Sequence, residues 1–130
     1  MSEEYATTRS GLFRRVLSRL LRDEEAIDAS ELREEARESG HQAVEECRDR
    51  QQVTLSGTLR AVTLRPRAGT PVLEAELYDG SGTVTLVWIG RRRIAGIDAG
   101  RRVVVSGRVA VQPDRRVMYN PRYELRPDDE

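Results

Sequence analysis

Val72-Leu73-Glu74-Ala75-Glu76-Leu77-Tyr78-Asp79-Gly80-Ser81-Gly82-Thr83-Val84-Thr85-Leu86-Val87-Trp88-Ile89 holds the pattern that decides the fold. In its first part Leu73, Ala75 and Leu77 alternate with Glu74, Glu76 and Tyr78. That two-residue period is the mark of a half-buried strand. Asp79-Gly80-Ser81-Gly82 carries the small and polar residues of a tight turn. From Thr83 the alternation resumes, with Val84, Leu86 and Trp88 assigned to the inner face. The stretch predicts two neighbouring antiparallel strands over 72–79 and 83–89.

Toward the N-terminus, Val53, Leu55, Gly57 and Leu59 alternate with Thr54, Ser56 and Thr58. Val62 and Leu64 continue the apolar phase shifted by one residue, which predicts a bulge near Arg60 or Ala61. A long first strand bent there can serve both halves of a small barrel. The run Arg65-Pro66-Arg67-Ala68-Gly69-Thr70-Pro71 is a loop. Toward the C-terminus, 90–100 breaks the alternation, with a short helical turn expected over 91–97. Val103, Val105 and Val109 define a fourth strand over 102–111, and a fifth follows a loop at 112–116 and runs over 117–126. Gly57, Gly82, Gly90, Gly100 and Gly107 suit a sheet that bends and closes. A sandwich would need more strands. The fold class read from this order is α+β, mainly β: a five-stranded Greek-key barrel over 51–126, preceded by a helical arm.

That arm has two parts. Residues 1–8 are polar and expected to be disordered. Over 9–22, Leu12, Phe13, Val16, Leu17, Leu20 and Leu21 recur at helical spacing, with Arg14, Arg15, Arg19 and Arg22 off the centre of the stripe. This basic amphipathic helix must bury its stripe against the barrel, another protein or its own copy. A membrane surface is disfavoured by the acidic run Asp23-Glu24-Glu25. A second helix is expected to be capped by Asp28 with Glu31, to present Leu32 and Ala36 with Ile27 at the edge of that face, and to end at Gly40. Residues 41–50 read as a connector, completing the arm at 9–50.

The 130 residues are 38% hydrophobic and 34% charged, enough for one modest core. Net charge is zero but uneven: −4 over 1–50, +7 over 51–126 and −3 in the tail 127–130. The basic barrel half points to a polyanionic partner. An acidic arm over 31–46 that folds back on it is a further expectation. All 22 basic residues are Arg, a side chain suited to phosphate and to stacking, although codon bias produces the same composition. No signal-peptide pattern or membrane-spanning run is visible, so a cytoplasmic location is expected.

The run Leu77-Tyr78-Asp79-Gly80-Ser81-Gly82-Thr83-Val84-Thr85-Leu86-Val87-Trp88 resembles the D-G-(S/T)-G signature of bacterial oligonucleotide/oligosaccharide-binding (OB) domains. Gly100 with Val103-Val104-Val105-Ser106-Gly107-Arg108-Val109 resembles the strand that follows in those domains. Asn120-Pro121-Arg122-Tyr123-Glu124-Leu125 is similar to the ending of the wedge domain of RecG-type branch-migrating helicases. The chain as a whole resembles stand-alone actinobacterial OB-fold proteins. It departs from the helicases in carrying no GxxxxGK[ST] phosphate loop. The resemblance implies a non-catalytic module for single-stranded or branched DNA, or RNA.

OB ligands lie across strands two and three, between the first and last inter-strand loops. Single-stranded nucleic acid needs cations for phosphate and flat groups for bases. Mapped onto this chain, the first loop offers Arg65 and Arg67 and the last loop Arg115 and Arg116. Arg91, Arg92 and Arg93 follow strand three; Arg60, Tyr78, Trp88 and Arg122 complete the candidate set, with Tyr119 and Tyr123 behind them. Tyr78 is the preferred stacking residue, since Trp88 also reads as core. Against this, Glu74 and Glu76 share the outward phase of Tyr78 and repel phosphate, unless Arg60 or Arg108 pairs with them. Weak or partner-assisted binding fits better than high affinity. The alternative is an adaptor domain that binds a protein partner or self-associates through the 9–22 helix. One His and one Cys, His41 and Cys47, are too few for a zinc site and lack a third orienting group. No catalytic residue, metal or cofactor is expected.

Overall fold

A computed structural model describes residues 26–127 of the chain. The segments expected at 1–8 and 9–22, and the acidic residues of the tail, lie outside the described residues. Residues 26–38 are helical (α1) and lead through a 3₁₀ turn, Val44–Glu46, into six strands. These are β1 Gln52–Leu64, β2 Val72–Tyr78, β3 Thr83–Ile89, β4 Arg102–Val111, β5 Arg116–Tyr119 and β6 Arg122–Leu125.

The strand order is β1-β2-β3-β5-β4, and β4 pairs back onto β1 to close the barrel. β1 serves both halves. Its first part, from Gln52 to Thr58, pairs with β4, and its second part, from Thr58 to Leu64, pairs with β2. The β1–β2 register slips between Leu59 and Ala61, so Arg60 is the extra residue, where the shift of apolar phase predicted a bulge. Gly57 sits where the two halves meet: a Cβ there would run into the Tyr78 carbonyl oxygen.

The inward phase forms one core. Leu55, Leu59, Leu77, Leu86, Val103, Val105 and Met118 have essentially no exposed surface. Trp88 belongs to that core, 5% exposed. Its indole N–H donates to the Pro121 carbonyl at 3.2 Å, and its ring meets Tyr123 edge-on at 5.9 Å.

Four expectations are corrected. The fifth strand is two strands, because Asn120 adopts φ +49 and Pro121 follows without an N–H to give the ladder. Asn120 secures the break by donating its backbone N–H to Val87 O and accepting the Ile89 N–H on its side chain. The 91–97 connector is a chain of turns rather than a helix; Ile94 and Ile97 are buried as plugs within it. The second helix does not begin at Asp28, which lies inside α1. The 41–50 connector is part of the core: Val44 and Cys47 are buried against the barrel interior.

α1 docks through Leu32 and Ala36, as its spacing predicts, and leaves Ile27 exposed. Asp79 ties it down. The carboxylate is 1% exposed and takes the Val44 N–H at 2.8 Å, the Ser81 N–H at 2.8 Å, the Ser81 hydroxyl at 2.7 Å and the Gly82 N–H at 3.1 Å. Arg33 of α1 completes the set at 3.3 Å. One side chain thus joins helix, 3₁₀ turn and β2–β3 turn, and its lone pairs are filled. Glu35 of α1 adds an ion pair to Arg102 at 2.8 Å.

Candidate functional site

The outward phase of β2 and β3 puts Glu74 beside Val87, Glu76 beside Thr85 and Tyr78 beside Thr83. Across β1, Ala61 faces Glu76 and Thr63 faces Glu74. The β1–β2 loop closes one end with a tight turn in which Arg67 and Thr70 exchange backbone hydrogen bonds. The β4–β5 loop approaches from the far side. Between them lies an open cleft of about 380 Å³ lined by Ala61, Thr63, Arg65, Arg67, Glu74, Ala75, Glu76, Thr83, Thr85, Asp114 and Arg115.

A second hollow of about 190 Å³ continues from it, sharing Arg67, Glu74 and Arg115 and adding Val72, Val87, Ile89 and Tyr119. Its floor is apolar. Val72, Val87 and Val117 form a small buried cluster of their own on the outer face of β2, β3 and β5. Ile89 and Tyr119 are half exposed on its rim. Alternation alone marks Val72 and Val87 as outward and therefore unremarkable. The signal that finds this floor is the presence of apolar residues on both phases of β2, β3 and β5 at once.

The candidate residues divide. Arg65, Arg67 and Arg115 converge on the cleft, although they come from two loops distant in the sequence. Arg65 pairs with Glu74 at 3.2 Å, so Glu74 is partnered by neither Arg60 nor Arg108; Arg108 donates instead to the Arg50 carbonyl. Arg60, at the bulge, lays its guanidinium over the Tyr78 ring, 3.6 Å from the centroid, a pair beside the cleft that lines neither hollow. The other candidates lie elsewhere. Arg116 has the inward phase of Met118 and donates to the Glu45 carbonyl, turned away from the cleft. Trp88, in the core, has no ring face open for a base to stack on. Arg91, Arg92 and Arg93 are exposed beyond the end of β3, and Arg122 is on β6, paired to β4; none lines either hollow. α1 and the 3₁₀ turn line neither hollow, so the described part of the acidic arm does not cover the cleft.

The charges in the cleft balance, with Arg65, Arg67 and Arg115 against Glu74, Glu76 and Asp114. The excess positive charge of the barrel half therefore lies mostly outside it. Among the described residues no group of His, Cys, Asp and Glu is placed to hold a metal ion. His41 and Cys47 have separate partners. His41 Nδ1 is 2.9 Å from the Ser56 hydroxyl, and the Cys47 thiol donates to Ala43 O. Burial pushes the Cys47 thiol up from its ordinary value, which disfavours the nucleophilic thiolate.

A family model for the OB-fold nucleic acid binding domain matches residues 53–129. That is more than half of the chain, and the chain belongs to this family. A solved structure described as "Structure of RecG bound to three-way DNA junction" is similar at 23% identity with a TM-score of 0.49. The match covers 62% of this chain and 12% of that one. No curated protein matches.

Proposed function

We propose, from membership of this family, that the barrel is a non-catalytic module that holds single-stranded nucleic acid, DNA or RNA, across the outer face of β1, β2 and β3. Arg65, Arg67 and Arg115 contact phosphates. Bases lie toward the apolar hollow, against Ile89 and Tyr119. The observation that carries the reading is the convergence of arginines from two distant loops on one cleft with an apolar continuation, the pairing of groups that a single strand requires. The balanced charge of the cleft sets the expected strength: modest affinity, with a branched or partner-held strand favoured over a free one.

Fluorescence anisotropy of labelled single-stranded, duplex and forked DNA, and of RNA, at two salt concentrations tests the reading. Three phosphate contacts on a single strand predict a log–log salt slope of about −2. Arg67→Ala with Arg115→Ala should weaken binding to all sequences alike. Absence of binding at low salt would overturn it. The adaptor reading would then stand on the same apolar hollow, whose half-exposed Ile89 and Tyr119 suit a protein side chain equally well.

A further inference from the structure

A phosphate-binding cleft has no use for Glu76. Its neighbour Glu74 is neutralised by Arg65 at 3.2 Å, but among the described residues no ion pair or side-chain hydrogen bond ties Glu76, which is exposed. An open carboxylate there repels a phosphate backbone at short range. We propose that the end of the cleft beside the β1 bulge is a site for one base, that it selects guanine, and that Glu76 is the residue that reads it. The inference rests on the single-strand reading above and supplies the role that reading leaves empty.

Glu76 stands between Ala61 on β1 and Thr85 on β3, both in register with it. Ala61 carries only a methyl group and leaves the carboxylate accessible from the cleft. A carboxylate only accepts, through two oxygens side by side. Guanine matches it: N1–H and the 2-amino group present two parallel donors on one edge. Adenine and cytosine set a ring-nitrogen acceptor beside their amino group, which the second oxygen repels. Thymine and uracil flank their single N–H with two carbonyls.

A base held by its edge also needs a flat surface against its face. The Tyr78 ring does not supply it directly, because the Arg60 guanidinium already covers one side at 3.6 Å from the centroid. The guanidinium is itself planar, stacks on bases and is exposed here. The bulge explains its position: as the extra residue, Arg60 is freed from the pairing that fixes Leu59 and Ala61 and leans onto Tyr78. Held by the ring, it makes no ion pair with Glu76, which keeps both oxygens open. Stack and carboxylate sit side by side, since Tyr78 and Glu76 are two residues apart on one strand face.

The test is competition for labelled oligothymidine by the same strand carrying a single guanine, inosine, adenine or cytosine, measured on the full chain. The guanine strand should compete about tenfold better than the others. Inosine lacks the 2-amino group and should lose most of that gain. Glu76→Gln offers one donor and one acceptor; it should abolish the preference while binding plain oligothymidine at least as tightly as the wild type. Arg60→Lys keeps the charge and removes the plane, and should lose the preference as well. Wild-type binding with equal competition from all four strands, or a guanine preference that survives Glu76→Gln, overturns the proposal and leaves the single-strand reading intact. No binding of any strand by the wild type overturns both.

Discussion

The end of the barrel capped by α1 and the cleft on its outer face are built from the same charged side chains, arginines and carboxylates, and use them in opposite ways. At the capped end Asp79 is 1% exposed and its lone pairs are taken by three backbone N–H groups, a hydroxyl and Arg33. In the cleft Glu76 and the Arg67 side chain point into solvent without an ion pair among the described residues, and the one pair present, Arg65–Glu74, is mostly exposed on its arginine side. A buried, saturated carboxylate stabilises a fold because removing it strands its donors. An exposed, unsaturated one contributes little to stability and remains free to meet a ligand. The contrast predicts that mutations divide cleanly, with capped-end changes altering stability and cleft changes altering binding.

The largest expected effect tests the first half of that division. Asp79→Ala leaves the Val44, Ser81 and Gly82 N–H groups without their acceptor and Arg33 without its partner. It should cost about 3–5 kcal/mol, read as a lower urea midpoint. If the loss is within 1 kcal/mol or so, the capped end is not the fastening it is taken for here. Gly80→Ala is next. Gly80 has φ +91, and a Cβ there would run into the Ala29 carbonyl of α1. The expected cost is about 1–3 kcal/mol. Hydrogen exchange should show where it falls, with protection lost in α1 while the β1–β4 ladder keeps its own.

Arg65→Ala with Arg67→Ala tests the second half. Both side chains are exposed, and removing them should change stability by no more than about 0.5 kcal/mol. Binding should weaken about tenfold, with a shallower salt slope. An unfolding midpoint that moves as far as that of Gly80→Ala would break the comparison.

The barrel was legible because the strands carry a two-residue period, and its one slip in β1, at Arg60, shows directly in the shift from Leu59 to Val62. What periodicity does not encode was missed. The 3₁₀ turn that buries Val44 and Cys47 is too short to show a period, and its surrounding acidic residues disguise it as a connector. Loop position alone makes Arg116 a binding candidate, yet strand phase turns it inward, toward Glu45, whereas the inward phase of Trp88 is legible in the sequence and its burial agrees with it. The pairing of Glu74 with Arg65 rather than with Arg60 or Arg108 depends on where the β1–β2 loop folds back, which no local pattern states. Asp79 is the instructive case. The sequence marks it as a turn residue, which it is, but its second oxygen reaches a helix and a 3₁₀ turn some 35 to 46 residues away along the chain.

The smallest effect falls on the capped end and carries a sign. His41 follows Gly40 at the exit of α1, with its backbone N–H on Ala36 O and its ring nitrogen on Ser56. A helix C-terminus favours an imidazolium, but burial and then the nearby Arg126 charge hold His41 below its ordinary value. The folded state therefore prefers the neutral ring. Above the unfolded value of about 6.5 both states are neutral and His41 adds no pH dependence. As pH falls below it, the unfolded chain takes up the proton first, and stability drops until the folded ring protonates too. His41→Asn should flatten the urea midpoint as pH falls below about 6.5, relative to wild type. The contrast matters more than the size. The Arg65→Ala, Arg67→Ala variant should keep the wild-type slope, because the ring that titrates belongs to the capped end and not to the cleft. Equal flattening in both variants would mean that the two regions are energetically coupled, and the division drawn from their side chains would fail.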